Sequence, residues 1–145
     1  MSRKYLLIVF LLSVFFSASS YAQSSISLTV YNLRNTKGHL LISLFNSKKG
    51  FPDKADNAFR KERITFTGST ANITFTNLPA GQYAIALLHD ENDDLKMNSN
   101  FFGVPKEGYG FSKNVTGFMG PPSFTDASFT CVKALITTLS IRIKY

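Results

Sequence analysis

Cysteine, histidine and tryptophan are almost absent from this sequence. Among 145 residues there is one cysteine, Cys131, so no internal disulfide can form, and there is no tryptophan. His39 and His89 are the only histidines, and two histidines with one cysteine argue against a zinc site. Cys131 alternates with Ala127 and Phe129, which predicts burial in the core rather than a reactive thiol or an intermolecular bridge. A chain without disulfides must be held together by its core.

Long hydrophobic runs are also scarce. The only one, Tyr5–Phe16, spans 12 residues and is too short for the roughly 20 helical residues that cross a bilayer. Two basic residues precede it, and the small residues Ser20 and Ala22 occupy positions −3 and −1 of a cleavage point. This pattern predicts a secretory signal peptide at residues 1–22, with a retained membrane anchor as the alternative.

The predicted mature chain is moderately basic and has the size of one domain. Removal of residues 1–22 leaves 123 residues and takes away two of the 16 basic residues, so the net charge falls from +7 to +5. We expect residues 23–145 to form a single domain. Basic residues cluster between positions 48 and 63, but acidic residues interrupt them, which indicates a solvated face and no nucleic-acid partner. The protein is expected in the periplasm, cell envelope or medium, without a transmembrane segment in its mature form.

Hydrophobic residues alternate with polar ones through much of the mature chain, which is the pattern of half-buried strands. The alternation is clearest in Ile26–Leu33, in 71–76 and in 134–145. Gln82–His89 is apolar on both parities, and this predicts a central strand covered on both faces. The sequence therefore predicts an all-β fold, a single antiparallel β-sandwich of about seven strands of the prealbumin or immunoglobulin type.

Three segments refine this architecture. Asp53–Arg63 combines helix-forming residues with helical apolar spacing, and it predicts a short helix or turn with Asp53 as its N-cap. Ser123–Val132 predicts a further strand. Residues 90–122 are rich in glycine and proline and predict a long loop. Loops of that length in compact domains are usually functional or packed as Ω-loops.

Oxygen-bearing side chains recur at alternate positions where this loop begins. Alternate residues of a tight loop can point inward together, and calcium prefers six to eight hard oxygen ligands. The pattern favours a turn held by its own Asn and Asp side chains. The alternative is a weak calcium site, since Leu95 stands where a glycine would ease the turn and Phe101 where a glutamate would complete the ligands. The predicted ligands are Asp90, Asn92, Asp94, the backbone carbonyl of Lys96, and Asn98.

His89 ends the predicted central strand on the same side as Tyr83, Ile85 and Leu87. A histidine in that position more often holds a loop carbonyl than acts as a base or a metal ligand. The alternative is a hydrolase with a site around His89, Asp90 and Glu107, because two carboxylates beside a histidine could supply acid–base chemistry. The sequence has no nucleophile elbow and no phosphate-binding glycine loop.

Aromatic residues interleave with glycines in the second half of the loop. If exposed, they would form a sugar-stacking or protein-docking surface, and if buried, they would form a small core of the loop itself. The first alternative gives the candidate ligand-binding residues His89, Phe101, Phe102, Tyr109 and Phe111.

Six short motifs occur in order along the mature chain: Leu44–Asn46, Gly50–Pro52, Leu78–Ala84, His89–Asn92, Phe102–Ser112 and Gly120–Phe124. Together they resemble domain-of-unknown-function family 2141, a set of small exported bacterial proteins, over nearly all of the mature chain. The resemblance implies a bacterial origin and export, but no settled activity. It also implies an altered acidic loop, because the family more often has Gly-Asn-Gly-Lys-Leu-Asp where this chain has Asp93–Asn98.

These observations favour a non-enzymatic binding or interaction module of the bacterial envelope that uses the loops between positions 89 and 118. Its partner would be an envelope protein or a glycan, and calcium is the only cofactor that the sequence indicates. The hydrolase and a purely structural envelope component are the alternatives. Clustering of His89, Asp90 and Glu107 in one open cleft would favour the hydrolase, whereas exposed aromatic residues would favour binding.

Overall fold

The computed structural model describes residues 23–145, where eight strands form two sheets. The predicted signal peptide lies outside the described residues. Within the described part, no helix is long and apolar enough to cross a membrane. The strands are β1 (Ser24–Tyr31), β2 (His39–Phe45), β3 (Arg60–Ile64), β4 (Thr70–Leu78), β5 (Gly81–Asp90), β6 (Gly108–Phe111), β7 (Phe129–Cys131) and β8 (Ile136–Arg142). The helical segments are α1 (Phe124–Ala127) and two 3-10 turns, Ala55–Asn57 and Ser112–Asn114.

The two sheets pack face to face, which confirms the predicted β-sandwich. One sheet has the order β4-β1-β8, and the other has the order β3-β2-β5-β6, with β7 also paired to β5. All paired strands are antiparallel except β1 and β8, which run parallel with Leu28 opposite Leu139. The parallel pair arises because the chain crosses from the second sheet to the first after β7 and enters beside the start of β1.

Alternate residues of the facing strands fill the space between the sheets. β5 contributes Tyr83, Ile85 and Leu87, and its pairing with β2, β6 and β7 confirms the predicted central strand. Cys131 is buried and free, also as predicted. Each large apolar side chain contributes roughly 1.5–3 kcal/mol on full burial. The other two main contributors are β1, with Ile26, Leu28 and Val30, and β2, with Leu40, Ile42 and Leu44.

Two local predictions differ from the structure. The helix expected in Asp53–Arg63 is reduced to one 3-10 turn, with Lys54 rather than Asp53 at its N-cap position, and Arg60–Ile64 forms β3. Pairing with β2 outweighs the helix propensity there, and an edge strand tolerates charged side chains well. The strand expected in Ser123–Val132 begins instead as α1, because Ser123 and Asp126 form a capping box.

The predicted long loop is interrupted by β6, which leaves a shorter loop at residues 91–107. β1, β5 and β8 all end, and β2, β4 and β6 all begin, at one end of the sandwich. We call this the loop end. It carries the 91–107 loop, the connection from β1 to β2, the connection from β3 to β4, and residues 143–145.

Candidate functional site

Asp90 fixes the start of the 91–107 loop. It is the last residue of β5 and is fully buried. Its two carboxylate oxygens accept hydrogen bonds from the backbone N–H groups of Asp94 at 3.2 Å and Leu95 at 2.9 Å. Hydrogen bonds to an ionised acceptor are roughly twice as strong as neutral ones. The first turn of the loop is therefore held firmly to the end of β5.

Glu107 fixes the other end of the same loop. It directly precedes β6 and is only 5% exposed. Its two oxygens accept hydrogen bonds from the backbone N–H groups of Glu91 and Asn98, both at 3.0 Å. One side chain at the end of the loop thus holds the beginning and the middle of the loop together.

Strand pairing brings three carboxylates together at the base of the loop. Gly108 of β6 lies opposite His89 of β5, so Glu107 and Asp90 become neighbours. With Asp94, each offers an oxygen within 4.8 Å of the others. Among residues 23–145, none of the three forms an ion pair with lysine or arginine. A divalent cation would relieve the mutual repulsion of such a group.

Asn98 contacts one of these carboxylates through its amide nitrogen. Its Nδ2 donates a hydrogen bond of 2.9 Å to Oδ2 of Asp94, and this bond is the main reason that the pKa of Asp94 is lowered. Its Oδ1 is buried and has no hydrogen-bond partner in the part of the chain that the structure describes. A buried oxygen without a partner costs free energy that a hard cation could recover. The residues that could hold calcium are Asp90, Asp94, Asn98 and Glu107.

The other two predicted ligands, Asn92 and Lys96, stabilise turns around Asp94. The Asn92 side chain donates to Oδ2 of Asp94 at 3.2 Å and accepts from its backbone N–H at 3.3 Å. The backbone N–H of Lys96 donates to Oδ1 of Asp94 at 2.9 Å. These are the local contacts of an Asn- and Asp-rich turn. Sequence spacing did not indicate that Glu107 lies beside Asp90 and Asp94, because the register of β5 and β6 brings them together.

His89 is fully buried, and both of its ring nitrogens have partners. Nε2 lies 2.9 Å from the backbone oxygen of Lys37 and Nδ1 lies 2.7 Å from the hydroxyl of Tyr145. The carbonyl can only accept, so Nε2 carries a proton and donates to it. His89 therefore holds a loop carbonyl, the contact expected of a histidine at the end of a central strand.

Arg34 joins the β1–β2 connection to the 91–107 loop. Its guanidinium forms a bidentate pair with Glu91, at 2.6 and 3.0 Å, and donates to the backbone oxygen of Lys106 at 3.0 Å. It also lies 4.2 Å from the ring centroid of Tyr145. The hydrogen bond from Arg34 is the main reason that the pKa of Glu91 is lowered, and Glu91 in turn raises the pKa of Arg34. Burial raises the pKa of Tyr145, which keeps its phenol neutral.

A cleft of about 550 Å³ opens beside Arg34 at the loop end. Sequence reasoning missed it, because its walls come from three separate segments that only tertiary folding brings together. The one local signal is the concentration of ring, amide and guanidinium groups at the end of β1. The lining residues are Tyr31, Asn32, Leu33, Arg34, Ser69, Thr70 and Tyr145.

Phe101 and Phe102 project from the top of the 91–107 loop. They are 97% and 85% exposed, and their rings contact each other edge to face at 5.5 Å. Asn100 shapes the turn beneath them, since its Oδ1 accepts from the backbone N–H groups of Phe102 at 2.9 Å and Val104 at 3.0 Å. Its backbone N–H also donates to the oxygen of Val104 at 2.8 Å. We call residues 100–104 the aromatic tip.

The remaining two predicted ligand-binding residues, Tyr109 and Phe111, lie elsewhere, on β6. Both are half-buried, and their rings are 5.9 Å apart. Phe111 also contacts Phe51, which packs on Phe45 and Phe124. The structure therefore separates the five predicted residues into a buried histidine, a packed pair on β6 and an exposed pair at the aromatic tip.

Comparison with known proteins identifies one relationship. A family model described as "Uncharacterized protein conserved in bacteria (DUF2141)" matches residues 28–138, which is most of the chain. No curated protein and no solved structure matches the chain.

Proposed function

The chain belongs to the DUF2141 family of bacterial proteins, and we propose that it is a non-enzymatic binding module of the bacterial cell envelope. The observation that carries this proposal is the aromatic tip, where two phenylalanines are almost completely exposed on a loop fixed at both ends. Isolated apolar residues on a surface are ordinary, but a paired, protruding set on a braced loop is typical of a docking element.

The aromatic tip suits an apolar pocket on another envelope protein. Burying one phenylalanine contributes roughly 1.5–3 kcal/mol, so Phe101 and Phe102 together could supply about 3–6 kcal/mol before the costs of association. The carboxylates of Asp90 and Glu107 fix the loop beforehand, which reduces the conformational entropy lost on binding. A rigid aromatic pair of this kind acts as an anchor for a protein interface.

The geometry favours binding over hydrolysis. A general base needs a free nitrogen within reach of substrate, whereas His89 is buried with both nitrogens engaged. Asp90 and Glu107 are also buried, and each accepts two backbone N–H groups. These three residues therefore support the loop. A purely structural envelope component is the second candidate, and the binding experiment below separates it from the first.

Residues 1–22 are proposed to be a signal peptide that directs export. The support is the positive start, the 12-residue apolar run and the small residues before Gln23. The envelope location follows from this export. N-terminal sequencing of protein recovered outside the cytoplasm should begin at Gln23, and recovery of the intact N-terminus in a membrane fraction would contradict the proposal.

Calcium is proposed to bind weakly at the base of the loop, between the carboxylates of Asp90, Asp94 and Glu107 and the amide oxygen of Asn98. The support is the absence of a cationic partner for these carboxylates in the described residues and the buried, unpaired oxygen of Asn98. Asp94 is exposed, so the affinity should be that of extracellular modules, with a dissociation constant of about 0.1–1 mM. Bound calcium would then stiffen the loop that carries the aromatic tip.

Variants of the aromatic tip test the docking proposal. The double variant Phe101→Ser, Phe102→Ser should bind an envelope partner at least about 100-fold more weakly, because it removes most of the apolar contact. Phe118→Ser is the matched control, since Phe118 is 100% exposed on a different loop. Immobilised residues 23–145 of each form are incubated with envelope extract from the source bacterium, and the retained proteins are identified and titrated.

The proposal predicts a protein retained by the wild type and by Phe118→Ser but lost from the double variant. Equal retention by all three would exclude the aromatic tip as the docking element, and no retention by any would favour the structural component. Melting temperatures should differ little among the three, because the substituted side chains are exposed.

A further inference from the structure

The cleft at the loop end has the size of a small-ligand site. Its volume of about 550 Å³ lies inside the range of roughly 300–1,000 Å³ that is usual for such sites. Its walls come from residues 31–34, from residues 69–70 and from Tyr145. The hydrogen bonds of Arg34 to Glu91 and Lys106, and the contact of Tyr145 with His89, fix one of these walls to β5 and to the loop. The cleft is therefore part of the folded framework.

The lining combines flat apolar surface with unused hydrogen-bonding groups. Tyr31 and Tyr145 are each more than a third exposed as residues. Within residues 23–145, the side-chain hydroxyls of Tyr31, Ser69 and Thr70 make no hydrogen bond, and Asn32 uses only its Nδ2, which donates to Ile143. Aromatic faces interspersed with free donors and acceptors suit a ligand that has both apolar faces and many hydroxyls.

The charge of the cleft is balanced. Arg34 is the only charged side chain in the lining, and its Nε and Nη2 are already engaged with Glu91. An arginine that binds phosphate or carboxylate usually offers this same planar pair of donors to the ligand. Arg34 retains only the two N–H donors of Nη1 without a partner among the described residues, and these can donate to sugar hydroxyls.

We propose that this cleft binds a neutral saccharide, with a sugar ring against Tyr31 and sugar hydroxyls hydrogen-bonded to Thr70, Ser69 and Asn32. The apolar C–H faces of a pyranose match the aromatic ring, and its hydroxyls match groups that both donate and accept. This site is distinct from the aromatic tip, so it extends the proposed function and does not depend on it.

Titration of residues 23–145 with uncharged sugars tests the proposal. Maltotriose and N,N′-diacetylchitobiose are the neutral probes, and inorganic phosphate is the anionic probe. Each is followed by saturation-transfer NMR and calorimetry up to about 10 mM, tenfold above a dissociation constant of about 1 mM. Thr70→Val removes one hydroxyl at nearly constant volume, and Tyr31→Ala removes the ring. Thr74→Val is the control, because Thr74 lies four residues further along β4, is exposed and is not in the lining.

We expect at least one neutral sugar to bind. Its affinity should fall about fivefold in Thr70→Val and at least tenfold in Tyr31→Ala, and it should be unchanged in Thr74→Val and in the double variant of the aromatic tip. Binding of phosphate alone would overturn the ligand class. No binding of either sugar, or equal weakening by Thr70→Val and Thr74→Val, would overturn the site.

Discussion

Excess calcium should raise the melting temperature of residues 23–145, and Glu107→Gln should remove most of that increase. The carboxylates of Asp90 and Glu107 are buried, with oxygens within 4.8 Å of each other. Two ionised carboxylates at that distance would repel each other by about 3.5 kcal/mol at an effective dielectric constant of about 20. Glutamine removes this repulsion but also weakens the charged hydrogen bonds to Glu91 and Asn98, by a similar order of magnitude. The two effects oppose each other, so the response to calcium is a better measure of the site than the baseline stability.

The expected response follows from mass action. With a dissociation constant of about 0.1–1 mM, calcium at about 5 mM stabilises the folded state by about 1–2 kcal/mol. For a domain of this size, that shifts the melting temperature by about 3–10 °C. Glu107→Gln should reduce the shift to less than a third, because the substitution removes a buried anionic ligand. The assay is thermal unfolding followed by circular dichroism, in chelator and in calcium, at constant ionic strength.

Two controls make this result specific. Glu62→Gln removes an exposed carboxylate of β3 and should keep the full calcium response. Magnesium at the same concentration should give a smaller shift, since it requires stricter octahedral geometry and retains its waters. Equal responses in wild type and Glu107→Gln would refute the assignment of Glu107 as a ligand. No response in the wild type would leave the loop base as a hydrogen-bonded turn.

Two further substitutions, one with a matched control, test the core and the surface ion pair. Leu87→Asp should unfold the domain, because an unpaired carboxylate at this core position costs several kcal/mol against a typical stability of about 5–15 kcal/mol. Thr74→Asp, at an exposed position, should melt close to the wild-type temperature. Equal melting temperatures of the two variants would contradict the strand parity. Arg34 lowers the folded-state pKa of Glu91, so this carboxylate contributes stability that is present above its unfolded pKa and is lost as the pH falls through its folded pKa. Glu91→Gln should therefore lose less stability than the wild type between about pH 5 and pH 3. The difference in the free energy of unfolding should be below about 1 kcal/mol, because the pair is partly exposed. Identical pH profiles of the melting temperature would contradict this assignment.

Strands were predictable where a single face is buried. In β1, the alternation of Ile26, Leu28 and Val30 with small polar residues encodes both the strand and its core-facing side. β3 could not be found in this way, because Arg60–Ile64 contains good helix formers and becomes a strand only through pairing with β2. The start of α1 was readable in principle, since Ser123 and Asp126 have capping-box spacing, but the short alternation that follows favoured a strand.

The candidate sites depend even more on tertiary structure. Asp90, Asp94 and Asn98 are close in sequence, so their spacing alone indicated an oxygen-rich loop. Glu107 joins them only because β5 and β6 pair with a particular register. The cleft is formed by segments 31–34, 69–70 and 145, and no local pattern connects segments so far apart. Sequence reasoning therefore located the loop end but not the complete set of groups that meet there.

The parallel pairing of β1 with β8 affects how the chain assembles during synthesis. Leu28 meets Ile73 of β4 after 45 further residues, but its partner in β8, Leu139, follows only after 111. At a synthesis rate of about 5–20 residues per second, one edge of β1 stays open for about 3–13 s after the other can close. An unpaired apolar strand edge is a template for pairing with other chains. The nascent protein is therefore exposed to aggregation at this edge, and a chaperone that covers Ser24–Tyr31 until β8 emerges would protect it.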